Sequence, residues 1–127
     1  MPPPAGKTVL VVDDEPAIRM LCRLNLELEG FRVLEADSLG AARRVLASEP
    51  VAVLLTDVHI GDGDGRDLAR ELAGREGAPR VALLTGTDEL RDDDRTGAEA
   101  LIEKPFTLVE LVSTVQRLAG DVDSSTK

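Results

Sequence analysis

The chain has 127 residues, 43% of them hydrophobic and 31% charged, with a formal net charge of -9; this suits one globular domain with its own core. No apolar run approaches the roughly 18 residues of a membrane span, and Met1 to Lys7 lack the apolar region of a secretory signal, so a cytoplasmic protein is expected. An acidic chain without Trp or Tyr and with two Phe is poorly made for nucleic acid, which calls for clustered Lys and Arg and for stacking rings; it suits divalent cations or basic partner surfaces.

Residues 1–6 form a Pro-rich leader, expected to be disordered. Thr8-Val9-Leu10-Val11-Val12 reads as a strand. A helix is predicted over about 15–29, with Asp14 as N-cap and Pro16 in the first turn. Ile18, Leu21, Cys22 and Leu28 follow helical spacing, and Gly30 can end the helix. Cys22, the one cysteine, excludes an intramolecular disulfide and reads as a packing residue, since it lacks the His partner and motif of a thiol nucleophile. A second strand covers about 31–36, and Ser38 caps a helix to about 48, followed by Pro50. The third strand is 51–56, Gly61-Asp62-Gly63-Asp64-Gly65 is a loop, a helix covers about 66–75, and the fourth strand is 80–84. Segment 87–97 has one large apolar side chain, Leu90, so any helix there is expected to be short or frayed. A fifth strand spans about 99–103, and Thr107 caps a last helix to about 119 with Leu108, Leu111, Val112, Val115 and Leu118 on one face. A polar tail, 121–127, closes the chain.

Strands alternating with helices imply a parallel sheet with crossover helices. Four strands end in residues able to do chemistry: Asp13-Asp14-Glu15, Asp57, Thr85 and Lys104-Pro105. In a parallel sheet these ends share one edge, where open α/β sheets place their sites. With the first and third strands adjacent, Asp13, Asp14 and Asp57 converge. Two unit charges ~4 Å apart repel by about 4 kcal/mol at an effective dielectric near 20, so the cluster needs a compensating charge or must hold protons. Hard oxygen ligands suit Mg²⁺. Lys104 adds a positive charge and Thr85 a hydroxyl donor, so the set is one for accepting a phosphoryl group on an Asp. Asp62, Asp64 and Asp67 lack the twelve-residue pattern of a calcium loop. Asp92-Asp93-Asp94 reads as a solvated turn, and the His59 side chain as a solvated loop residue.

Val-Val-Asp-Asp-Glu-Pro, Leu-Leu-Thr-Asp-Val-His-Ile-Gly-Asp-Gly-Asp-Gly, Leu-Leu-Thr-Gly-Thr and Glu-Lys-Pro-Phe, in that order, resemble the motifs of the receiver domain of bacterial two-component response regulators, of the single-domain, chemotaxis-regulator-like kind. The resemblance covers about 7–119, with 1–6 and 120–127 as flexible tails. It implies a flavodoxin-like, doubly wound, five-stranded sheet in the order 2-1-3-4-5 with five helices. It assigns Asp57 as phosphoacceptor and Asp14 as the direct Mg²⁺ ligand. Asp13 would hold Mg²⁺ through water, and the backbone carbonyl of His59 would be the third protein ligand. Thr85 becomes the switch hydroxyl, Lys104 the lysine on the phosphoryl group, Pro105 the residue after a cis bond, and Gly86 the small residue that leaves the pocket open. The position of the family's frequent aromatic is Leu101 here, and Gly61 stands where the family usually has Pro. Implied partners are a sensor histidine kinase or phosphotransfer protein and a downstream protein target or fused output domain, with no nucleic acid and no membrane. The kinase would dock on Ala17, Ile18, Leu21, Cys22 and Phe106. Such a domain catalyses only its own phosphorylation and slow hydrolysis, so it is not an enzyme in the usual sense. The alternative is a small Mg²⁺-dependent aspartyl-phosphate phosphohydrolase. Adjacent Asp13-Asp14, rather than Asp-x-Asp, disfavours it, and the intact acid, hydroxyl and lysine set speaks against a receiver-like domain that only binds proteins.

Overall fold

Runs of Val, Leu and Thr pack well on a pleated surface, and the five long runs of this chain join one sheet. The computed structural model describes residues 7–86 and 97–120. Along the chain lie β1 (Thr8–Val12), α1 (Pro16–Leu28), β2 (Arg32–Ala36), α2 (Leu39–Ser48), β3 (Val53–Asp57), β4 (His59–Ile60), β5 (Gly63–Asp64), α3 (Gly65–Leu72), β6 (Arg80–Thr85), β7 (Ala100–Glu103) and α4 (Leu108–Ala119). The long strands are all parallel, in the order β2-β1-β3-β6-β7. This is the expected 2-1-3-4-5 order of a doubly wound, flavodoxin-like sheet.

Side chains alternate between the faces of a strand, and the core divides accordingly. Val9, Val11, Val53, Leu55, Ala82 and Leu84 face α1 and α4, packing on Cys22, Leu26, Leu111 and Val115. Leu10, Val12, Leu54, Val81 and Leu83 face α2 and α3, packing on Leu39, Ala42, Leu68 and Leu72. Each fully buried Leu or Val contributes roughly 1.5–3 kcal/mol. The two clusters clamp the central strands and fix the positions of the residues at their C-terminal ends.

Ser38 and Thr107 cap α2 and α4 as expected, accepting from Ala41 N–H and Glu110 N–H at 3.0 Å each. Other expectations need correction. Asp14 does not cap α1; Glu15 stands at that position without a side-chain bond. Leu21 and Leu28 are 41% and 82% exposed, while Cys22 and Leu26 are buried with Ile18 packed beside them. Apolar residues at 18, 20, 21, 22, 24, 26 and 28 offered two possible faces, and tertiary packing chose the one at four-residue spacing. Helix α3 stops at Leu72 rather than 75, because Gly74 turns the backbone left-handed at φ 78°. The loop 61–65 begins inside a small antiparallel hairpin, β4–β5, that pairs His59 with Asp64. The helix expected within 87–97, the Asp92 to Asp94 turn and the tails 1–6 and 121–127 lie outside the described residues, Gly97 apart.

Candidate functional site

The four chemistry-bearing ends do meet on one edge of the sheet. Asp57 is the last residue of β3 and Thr85 the last of β6, while Asp13 and Lys104 directly follow β1 and β7. Backbone bonds fix their register: Lys104 N–H donates to Thr85 C=O at 2.8 Å, and Val58 N–H to Leu84 C=O at 3.0 Å. Lys104 Nζ donates to Asp57 Oδ2 at 2.9 Å. Burial works against the lysine charge, but the hydrogen bond and charge of Asp57 outweigh it and raise its pKa above the ordinary value.

Asp13 is completely buried. Its Oδ1 accepts from Glu15 N–H at 2.9 Å, and its Oδ2 has no partner. Burial, aided by the charge of Asp57, raises its pKa against the opposing Glu15 hydrogen bond. Asp14 is exposed, and its Oδ2 lies 3.6 Å from where a Cβ on Gly61 would begin. Among the described residues no three Asp, Glu, His or Cys side chains are close enough to hold a metal by themselves. Asp57 lies near enough for its charge to act on Asp13, and Lys104 pairs with Asp57 at 2.9 Å.

His59 is exposed and donates its N–H to Asp57 Oδ1 over a long 3.4 Å. Thr85 is buried and donates its hydroxyl to Gly86 C=O at 3.2 Å. Leu101 and Phe106 are half-buried, and Pro105 is exposed after a cis bond to Lys104. On α1, Ala17 and Leu21 are exposed and Ile18 is half-buried. Cys22 is a correction: it is fully buried, its thiol is pushed up to about 12 chiefly by that burial, and it cannot meet a partner.

Three residues that shape the site escaped sequence reasoning. Gly65 packs so tightly that a Cβ there would lie 2.1 Å from the Asp57 carbonyl oxygen. Asp62 accepts from Leu39 N–H at 2.9 Å and Gly40 N–H at 3.2 Å, tying the hairpin to the start of α2; those bonds lower its pKa. Arg19 donates to the Asp13 carbonyl at 2.7 Å. The glycine run marked a loop, but nothing local in the sequence signals a contact 22 residues away.

Residues 9–116 match the response regulator receiver domain family. The phosphate regulon transcriptional regulatory protein PhoB of Pseudomonas aeruginosa is 33% identical over 127 residues, covering 94% of this chain and 56% of that protein. The chain spans about half the length of the curated relatives it matches. In fold it is similar to the response regulator protein TrrA of Thermotoga maritima, solved in complex with Mg²⁺-BeF, with a TM-score of 0.80, 28% identity and coverage of 88% of this chain and 98% of that one. The signal receiver domain of a signal transduction histidine kinase from Syntrophus aciditrophicus also has a TM-score of 0.80, with 29% identity and 94% coverage of each chain. By the sequence match over most of its length, the chain belongs to the response regulator receiver domain family of two-component signalling.

Proposed function

We propose that Asp57 accepts a phosphoryl group from the phosphohistidine of a sensor histidine kinase or phosphotransfer protein. The observation that carries this is the ion pair of Lys104 with Asp57 at the C-terminal edge of the sheet. An oxygen of Asp57 forms the new P–O bond as the P–N bond breaks and the imidazole leaves. Lys104, already placed, offsets charge on the incoming phosphoryl oxygens. Thr85 exchanges its bond to Gly86 for one to a phosphoryl oxygen. That movement biases the surface of β7 and α4 toward a downstream target or output domain, with half-buried Leu101 in place of an aromatic.

The donors present fit a hard cation. Asp13 presents a buried oxygen without a partner, and the exposed Asp14 adds a second carboxylate. The complex of TrrA with Mg²⁺-BeF supports the same choice of ion. Asp14 would hold Mg²⁺ directly, Asp13 through water, and Asp57 and the His59 carbonyl would complete the protein ligands. Bound there, Mg²⁺ would supply positive charge to the transferring phosphoryl group.

Ala17, Leu21 and the partly covered Ile18 and Phe106 offer the docking surface beside the site. Among the described residues no helix is long and apolar enough to cross a membrane, and a cytoplasmic location is part of this proposal. Incubation with phosphorylated kinases of its own genome tests the proposal. Label should pass from a cognate kinase to the wild type and not to Asp57→Ala. Transfer to both at the same rate would refute Asp57 as the acceptor.

A further inference from the structure

Arg19, on the inner side of α1, is only 17% exposed in its side chain. Its Nη1 donates to the Asp13 carbonyl at 2.7 Å, and its Nε to Glu35 Oε1 at 3.0 Å. Arg23 Nη1 holds the other Glu35 oxygen at 2.9 Å. Glu35 lies in β2 opposite Val11, so its carboxylate anchors both guanidinium groups to the sheet edge. The Asp13 carbonyl belongs to the peptide that joins Asp13 to Asp14. Fixing that carbonyl fixes the plane of the peptide, and from its two ends leave the two acids. On the other side Asp13 N–H donates to Ala36 C=O at 3.1 Å. Glu15 N–H holds the Asp13 carboxylate at 2.9 Å, but of these bonds only that of Arg19 falls on the Asp13–Asp14 peptide itself, and its donor is charged, which makes it the stronger kind.

We propose that Arg19 is a positioning residue for phosphotransfer: it sets the orientation of the Asp13–Asp14 peptide, and so aims both carboxylates at the cation and the incoming phosphoryl group. This rests on the reading of Asp57 as phosphoacceptor. Arg23 shares Glu35 but has no bond to Asp13, so the two arginines separate positioning from simple structural support. Groups that orient metal ligands from behind typically cost 10–100-fold in affinity when removed.

The test compares the whole chain as wild type, Arg19→Met, Arg19→Lys and Arg23→Met. Mg²⁺ affinity is read by isothermal titration calorimetry, labelling by acetyl phosphate at saturating Mg²⁺, and melting temperature in EDTA. Arg19→Met should weaken Mg²⁺ binding about ten-fold and slow labelling, and Arg19→Lys should recover part of both. Arg23→Met should leave Mg²⁺ affinity within about two-fold of wild type, even if it melts as low as Arg19→Met. Should Arg19→Met fail to fold, Arg19→Lys set against Arg23→Met decides by the same readouts. Equal Mg²⁺ affinity in all four proteins, or equal losses in the Arg19 and Arg23 variants, would overturn the inference and leave Asp57 as acceptor untouched. A wild type that takes no label would remove the acceptor reading, and the inference with it.

Discussion

Lys104 Nζ and Asp57 Oδ2, 2.9 Å apart, join the ends of β7 and β3, two strands that are not neighbours in the sheet. The bond reaches across the end of β6, where Thr85 sits. A cation therefore already accompanies the carboxylate that would attack phosphorus, and the hydroxyl that would answer the phosphoryl group lies between the two strands.

Lys104→Met should lower stability in EDTA by about 1 kcal/mol, a modest figure because the lysine is partly exposed. It should also slow labelling by a small phosphodonor at least about ten-fold. The raised pKa of Lys104 sets the sign of the pH dependence. The stabilisation is fully present below the ordinary value of 10.5 and is lost as pH rises through the higher folded value. Melts at neutral and strongly alkaline pH check this, and a variant as stable as wild type at neutral pH would contradict it.

Asp13→Asn should act in the opposite direction. The folded pKa of Asp13 is raised above 3.8, so its ionised form weakens the fold. The penalty is absent below that value and complete once pH exceeds the folded pKa. Removing the charge should raise the melting temperature in EDTA at neutral pH. Mg²⁺ at ten times Kd should stabilise wild type by about 1.4 kcal/mol, on the order of 3–6 °C, and the variant by less. Four melts, wild type and variant with Mg²⁺ or EDTA, decide. A variant melting lower in EDTA would show that the buried charge is not a cost.

Gly65→Ala should destabilise by about 3 kcal/mol, because the methyl group meets the Asp57 carbonyl oxygen at 2.1 Å and backbone must move to make room. Urea unfolding measures it. A change within about 0.5 kcal/mol would mean that α3 does not press on the end of β3.

Which parts of this arrangement could be read from sequence follows from how local their causes are. Four of the five long strands announced themselves because each is an apolar run ended by a polar residue, and Ser38 and Thr107 announced helix starts through bonds three residues long. Asp57, Thr85 and Lys104 were legible as strand ends with suitable chemistry. Asp14 was misread as a cap because any acid just before a helix fits that role. The structure instead turns Asp13 inward onto Glu15 N–H. Leu21 and Leu28 were misplaced because α1 is apolar on more than one side. Arg19, Asp62 and Gly65 depend on contacts between elements that only the folded chain brings together.

Cys22 gives a check on the packing of α1. Fully buried and with its pKa near 12, the thiol should resist alkylation in the native protein at mildly alkaline pH and react fully in urea. Prompt alkylation of the native protein would place Cys22 on the accessible side of α1 and reopen it as a docking residue.

The most direct measurement of the central claim is intact-mass analysis of wild type and Asp57→Ala after incubation with acetyl phosphate and Mg²⁺. Wild type should gain one phosphoryl group, removable by hydroxylamine as an acyl phosphate is, and Asp57→Ala should gain none. Equal labelling of both proteins, or none of the wild type, would contradict Asp57 as the phosphoacceptor.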